Sequence, residues 1–154
     1  MNRRRRKKLA RQLVGAAMLG DTGAVRALLR AGAQPDTPDA DGTTPLYAAA
    51  VHGAAGTVRA LLAAGASPDA ESGHGTEGTP LCGAACWGHT EAVGALLEHG
   101  ADPGLREDHG TGRSPLEWAL AGPHPDTVAA LLAAGAAPSA NREESAAAHR
   151  AAPE

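Results

Sequence analysis

Two cysteines and a scatter of histidines are the residues of this chain whose types could do chemistry. Cys82 and Cys86 stand four apart, which on a helix puts both thiols on one face. His74, His89, His99 and His109 fall near them in sequence or in register. Two or three thiolate and imidazole ligands can hold zinc. The spacing, however, matches no finger motif. Cys86 is expected on a groove and the loop histidines elsewhere, so no metal site is expected. The known catalytic signatures are also missing: there is no nucleophile elbow, phosphate loop, His-Glu-x-x-His or Gly-rich dinucleotide turn. Asp39, Asp41, Glu77, Glu107 and Asp108 lie in segments read as loops, where water would screen them. Cys86 beside a histidine would be the only starting point for an enzyme. The expectation is a chain with no catalytic residue, no metal and no cofactor, and with reduced thiols, since neighbouring helical turns suit disulfide geometry poorly.

The elements that carry these residues repeat. Leu13, Leu46, Leu81 and Leu116 open four copies of one pattern at spacings of 33, 35 and 35 residues. Val25, Val58, Val93 and Val128 keep the register, as do the Leu-Leu pairs at 28, 61, 96 and 131 and the Gly-Ala pairs at 32, 65, 100 and 135. A fixed period of this length means one supersecondary unit stacked on copies of itself. Within a copy each residue has a reason. Thr44 can cap a helix with its hydroxyl, and Pro45 fits a first turn that needs no backbone N–H. Leu46, Ala49 and Ala50 share one helical face, and the alanines permit close helix approach. Gly53 ends the first helix. Val58, Leu61 and Leu62 form the stripe of a second helix, which Gly65 stops. No single copy can bury its stripe alone, so stability must come from stacking.

Thr44-Pro45-Leu46, Thr79-Pro80-Leu81, Ser114-Pro115-Leu116, the Ala-Ala pairs that follow and the Val-x-x-Leu-Leu-x-x-Gly-Ala endings resemble those of ankyrin repeat proteins. The resemblance covers residues 9–138. It implies an all-α fold, an ankyrin-type repeat solenoid of helix-turn-helix units with projecting hairpin loops, in repeats near 9–36, 37–69, 70–103 and 104–138. It further implies partner binding without catalysis. In that family the end of each first helix and the hairpin line a concave groove. Here those positions hold Met18 and Leu19, Val51 and His52, Cys86 and Trp87, and Ala121 and Gly122. Asp41, Thr43, Gly78 and Arg113 come from the hairpins, and Trp118 lies one turn earlier. Trp87 is expected to meet a partner, and Trp118 to pack on its neighbouring repeat. The sequence also departs from the family. The His usual after the opening Leu is replaced by Val14, Tyr47, Cys82 and Glu117. The first copy lacks Thr-Pro. Pro123-His124-Pro125 should stiffen the last inter-helix turn, and His89 and His124 sit at turns between helices. The hairpins before Leu81 and Leu116 are each two residues longer than the first.

Composition sets the outer bounds. The chain has no Phe and only 2% aromatic residues, so its core must be Leu, Val and Ala, which bury little area each. Heavy use of Ala, Gly, Arg and Pro fits a GC-rich bacterial genome. Net charge is −3, unevenly spread: Arg3 to Lys8 hold six cations, whereas residues 9–138 hold six Arg against fourteen Asp and Glu. The segment 1–8 is read as a basic N-terminal arm or frayed helix start, with nucleic-acid or anionic-surface binding as the alternative. It lacks aromatics for stacking, so nucleic acid is not the expected partner. As an export signal it is interrupted by Arg11 and Gln12. No segment reaches the length of a membrane span. The reading is a cytoplasmic monomer with a protein partner that carries a basic patch, and a tail at 139–154 that is disordered or forms a short capping helix.

Overall fold

The structure, a computed structural model, describes residues 1–138. In chain order the helices are α1 (Arg3–Met18), α2 (Thr22–Arg30), α3 (Pro45–Val51), α4 (Ala55–Ala63), α5 (Pro80–Cys86) and α6 (Thr90–Glu98), then α7 (Glu107–Gly110), α8 (Pro115–Ala121) and α9 (Pro125–Ala133). α7 is a single turn within the third hairpin; the other eight form four antiparallel pairs. First helices pack in one row, α1 on α3 on α5 on α8, and second helices in another, α2 on α4 on α6 on α9. Among the described residues there is no strand, only an isolated bridge between Ser72 and Gly78. This is the all-α solenoid that the resemblance implied. The tail at 139–154 lies outside the described residues.

Local chemistry explains the ends of the elements. Thr44, Thr79 and Ser114 cap α3, α5 and α8, each hydroxyl accepting the amide three residues on at 3.3, 3.2 and 3.2 Å. A proline follows each cap, where its missing N–H leaves nothing unpaired. Ser114 and Glu117 close a reciprocal capping box. The first copy has no Thr-Pro, and α1 instead starts under Asn2, whose side chain accepts from Arg5 N–H at 2.9 Å. The basic segment read as an arm therefore forms the opening turns of α1, the longest helix at 16 residues. Second helices end at Gly32, Gly65, Gly100 and Gly135, all left-handed at φ 88–97°. The next amide bonds back to Leu28, Leu61, Leu96 or Leu131 at 3.0 Å, which satisfies the last carbonyls.

Stacking closes the core. Leu13, Leu46, Leu81, Leu116, Val25, Val58, Val93, Leu61, Leu96 and Leu131 are all fully buried. Burial fades toward the last copy, where Val128 is only partly covered and Leu120 and Leu132 are exposed. Polar links run between adjacent copies. Thr22 meets Thr57, and Thr90 meets Thr127, at 2.8 Å. Asp36 accepts from the amide and hydroxyl of Ser67, and Asp69 from the amide of Asp102. The turn histidines form the third kind of link. His89 Nε2–H donates to the Val51 carbonyl at 3.1 Å, and His124 Nε2–H to the Cys86 carbonyl at 3.0 Å. Their rings lie against Gly53 and Gly88, both at φ 70°. Gly122 is extended instead (φ −115°, ψ 172°), as the proline after it requires.

Gly88 and Gly94 should respond oppositely to alanine. At Gly88 a Cβ meets both a left-handed backbone and the His124 ring, so Gly88→Ala should destabilise by more than about 1 kcal/mol. Gly94 lies inside α6 with open space where a Cβ would go. Gly94→Ala should stabilise by about 0.5–1 kcal/mol. Urea midpoints of the two variants and the parent check both signs.

Candidate functional site

The residues that cap the first helices stand in register: Leu19, His52, Trp87 and Gly122. Leu19 is 85% exposed, Trp87 66% and Met18 47%. Val51 and Cys86 are half-buried and Ala121 is exposed. His52 is exposed, and its ring turns back along α3, with Nδ1–H donating to the Ala48 carbonyl at 2.8 Å. Leu19 and Trp87 belong to copies one and three, so no single pocket holds the whole set. What joins them is a strip along the row of first helices.

Hairpins flank that row. Asp39 closes on Thr43, Ser72 on Gly78 and Glu107 on Arg113, through amide–carbonyl bonds of 3.0, 2.9 and 3.1 Å. The last two loops are longer by two residues, which turn left-handed at His74 (φ 54°), Asp108 (φ 50°) and His109 (φ 54°). Neighbouring hairpins are tied together. The Thr43 hydroxyl donates to Glu77 Oε1 at 2.8 Å and His109 N–H donates to Glu71 Oε1 at 3.3 Å, while Glu77 Oε2 accepts from Ser72 of its own hairpin at 2.6 Å. Thr43 is thus committed to the scaffold, whereas Asp41 and Arg113 are exposed. His74 lies against Gly42. Among the described residues no three His, Cys, Asp or Glu side chains group so as to hold a metal ion.

α3, α5, α8 and the second and third hairpins enclose a cleft of about 350 Å³. It gathers Cys86, Trp87 and Trp118 from the expected set, and adds Tyr47, Cys82, Glu77 and Glu107. Gly83 sets its width, because a Cβ there would stand 2.6 Å from Val51 Cγ1 and 3.1 Å from Tyr47 Cε2. The hairpin histidines stay out of this cleft as expected, but hairpin carboxylates reach into it. Glu107 in particular is no water-screened loop residue. Its Oε2 accepts from Trp118 Nε1–H at 2.8 Å, and its side chain lies against Gly78. Burial pushes its carboxyl above the usual range, against the downward pull of the Trp118 N–H and the Cys82 thiol. Trp118 itself packs on the core, with Arg113 stacked 4.7 Å from its ring centroid. Burial, then the charges of Glu77 and Glu107, push the Tyr47 phenol up to about 12.

The thiols are poor nucleophiles here. Burial lifts Cys82 far above its ordinary range. Burial and then Glu107 raise Cys86 against the pull of Arg113. A thiol must ionise to attack, and the nearby imidazoles are engaged with the carbonyls of Val51 and Cys86. Among the described residues no hydrogen bond joins the Cys86 thiol to a histidine. Sequence reasoning passed over Tyr47 and Glu107. Tyr47 is the chain's one tyrosine and stood out only as a departure at its repeat position. Glu107 shares its register with Asp39, which bonds within its own hairpin, and with Ser72, which bonds Glu77 in its own hairpin and accepts from Thr44 N–H of the preceding copy. That shared position was the signal available.

A family model described as ankyrin repeats (three copies) matches residues 13–107 and 68–142. No curated protein matches the chain.

Glu107 gives the site a pH signature. Its carboxyl binds a proton more readily folded than unfolded, so it adds stability as pH falls through its raised folded value, and that contribution is absent at neutral pH. Glu107→Gln keeps an acceptor for Trp118 but cannot titrate. The stability of the parent relative to this variant should therefore rise as pH falls from neutral to below the ordinary carboxylate range, about pH 4, as read by paired urea titrations. A constant difference contradicts the raised carboxyl.

Proposed function

The chain belongs to the ankyrin-repeat family, whose repeats are in general protein–protein interaction modules, and on that premise we propose an adaptor or regulator that binds a partner protein and performs no catalytic step. The binding face is the row of first helices with its hairpins. The observation that carries this reading is the strip of Met18, Leu19, Val51 and Trp87 on an array that otherwise buries its large apolar side chains. Apart from Met1 and the last copy's Leu120 and Leu132, the exposed large hydrophobics among the described residues are Met18, Leu19 and Trp87. Apolar surface left open on a soluble scaffold marks an interface, and tryptophan is enriched among the residues that dominate binding energy. His52, Cys86 and Trp118 border the strip, and Arg113 and Thr43 flank it from the hairpins. Asp39 and Asp41 favour a partner with a basic patch. No helix among the described residues is long and apolar enough to cross a membrane. A monomer in the cytoplasm completes the proposal.

A specific observation favours a second reading. Among the described residues none of the side chains from Arg3 to Lys8 is in an ion pair, and the first turn of α1 has no acid. Cations at a helix N-terminus oppose its dipole, so an anion there would relieve two repulsions at once. Arg3, Arg6, Lys7, Lys8 and Arg11 border a groove of about 620 Å³ against the first hairpin, which adds Asp39 to its wall. This end of the array would dock an anionic surface or nucleic acid.

Two experiments separate the readings. In the first, wild type and the Trp87→Ala/His52→Ala variant capture proteins from lysate of the native host, and mass spectrometry identifies what each retains. A protein held by wild type and lost by the variant is the expected result; equal capture of every partner removes the proposed face. In the second, Arg3, Arg6 and Lys7 are changed to Gln. Anion binding through α1 should then vanish along with its salt dependence, and binding that survives rules that reading out.

A further inference from the structure

Every aromatic residue of the chain lines one cleft. The sequence holds two Trp, one Tyr and no Phe. Tyr47, Trp87 and Trp118 come from three different copies and meet in the space between α3, α5, α8 and the hairpins. The buried core is Leu, Val and Ala, and of the three aromatics Trp118 packs against it. Trp87 does not contribute to folding by burial, being 66% exposed.

Carboxylates crowd the same walls. Glu77, Glu107 and Asp108 line the cleft, and Glu71 adjoins it through His109 N–H. Glu71 Oε2 is buried without a hydrogen-bond partner among the described residues. The nearby cations do not balance this charge. Arg106 is held by both oxygens of Glu117 at 3.0 Å. Arg113 lies over the Trp118 ring. That stack demonstrates, within the chain, how an indole at this site meets a guanidinium. The exposed face of Trp87 has no such cation among the described residues.

We propose that this cleft receives a side-chain cation, an arginine or lysine of the partner protein, laid on the Trp87 ring and facing the Glu107 and Asp108 carboxylates. The inference rests on the reading of this face as a protein-binding surface and gives its partner a chemistry. Aromatic faces attract cations through the ring quadrupole, and more strongly where water is thinned out. Opposed carboxylates add charge complementarity and would reject an acidic residue. A volume of about 350 Å³ holds one long side chain with its first waters, and not a folded element. First helices advance by about 8–10 Å per copy, so Leu19 lies roughly 20 Å from Trp87. A partner segment that rests an apolar residue on Met18 and Leu19 would place a basic residue about six positions further along an extended chain.

Both tryptophans line the cleft, so their fluorescence and indole N–H resonances report on it directly. The probes are blocked pentapeptides, Gly-Gly-Xaa-Gly-Gly, with arginine, lysine or citrulline in the centre. Citrulline matches arginine in shape without its charge. The arginine or lysine peptide should shift the Trp87 signal saturably, and citrulline should bind at least about tenfold more weakly, the ratio that 1.4 kcal/mol represents. Glu107→Gln/Asp108→Asn should weaken the cationic peptides by a similar factor. Because Glu107 accepts from the Trp118 indole N–H, that resonance moves in the double variant whatever the fold does; unmoved methyl resonances of the buried Leu61, Val93 and Leu96 show that the fold is kept, and Asp108→Asn alone serves if they move. Equal binding of arginine and citrulline, or cationic binding untouched by the carboxylate substitutions, overturns the proposal. Failure here is distinct from failure of the binding face. A protein captured through Trp87 and His52 but indifferent to Glu107→Gln/Asp108→Asn would leave the interaction module standing and remove the cation site.

Discussion

The distance between first helices is the constraint on which the rest of this structure depends. Ala48, Ala49, Ala50, Ala84, Ala85 and Ala119 are buried between α1, α3, α5 and α8, and Gly83 offers no side chain at all. Helix contacts built from alanine and glycine leave no room for a ring between them. The aromatic residues are therefore displaced to the rim, where Tyr47 and Val51 press on Gly83 and the two indoles stand at the ends of α5 and in α8. Close packing thus supplies both halves of the protein: a narrow Leu, Val and Ala core, and an aromatic border that the core has no room for.

The same economy governs the contacts between copies. A turn histidine can reach back to a carbonyl of the previous copy only because glycine leaves the space for its ring. At the first interface the equivalent turn position is Ala54, and Thr22 with Thr57 provides the polar link instead. Each interface is made of a few such short-range bonds around buried leucines. Stability in such arrays is close to a sum over neighbours, with no contact spanning the whole length.

How much of this could be read beforehand follows from which residues act through the chain near them. Thr44, Pro45, Gly65 and the Leu-Leu pairs act within a few positions, and their spacing foretold caps, stops and stripes correctly. Arg3 to Lys8 were less legible, since six like charges argue for fraying, whereas the Asn2 cap and the burial of Leu9, Ala10 and Leu13 carry α1 through them. Glu107 was illegible for a stronger reason. Its environment is assembled from Gly78, Cys82 and Trp118, drawn from two copies. Burial of a carboxylate by residues 11, 25 and 29 positions away leaves no periodic trace. The aromatic cleft was hidden in the same way: Tyr47, Trp87 and Trp118 occupy three different positions of the repeat, so no column of the pattern contains them together.

The longer hairpins have a consequence of a different kind. Leu81 and Leu116 are as deeply buried as Leu46, although the loops before them carry two extra residues. The additional length is absorbed in left-handed turns at His74 and at Asp108 and His109, and Thr79 or Ser114 then restarts the helix under the same cap. The two extra residues at these tips leave the register of the stack unchanged. An array built this way can acquire new recognition loops by small insertions and deletions without rewriting its interior, provided that Glu77, which accepts from Thr43 and Ser72, and the cleft residues Glu107 and Asp108 are kept.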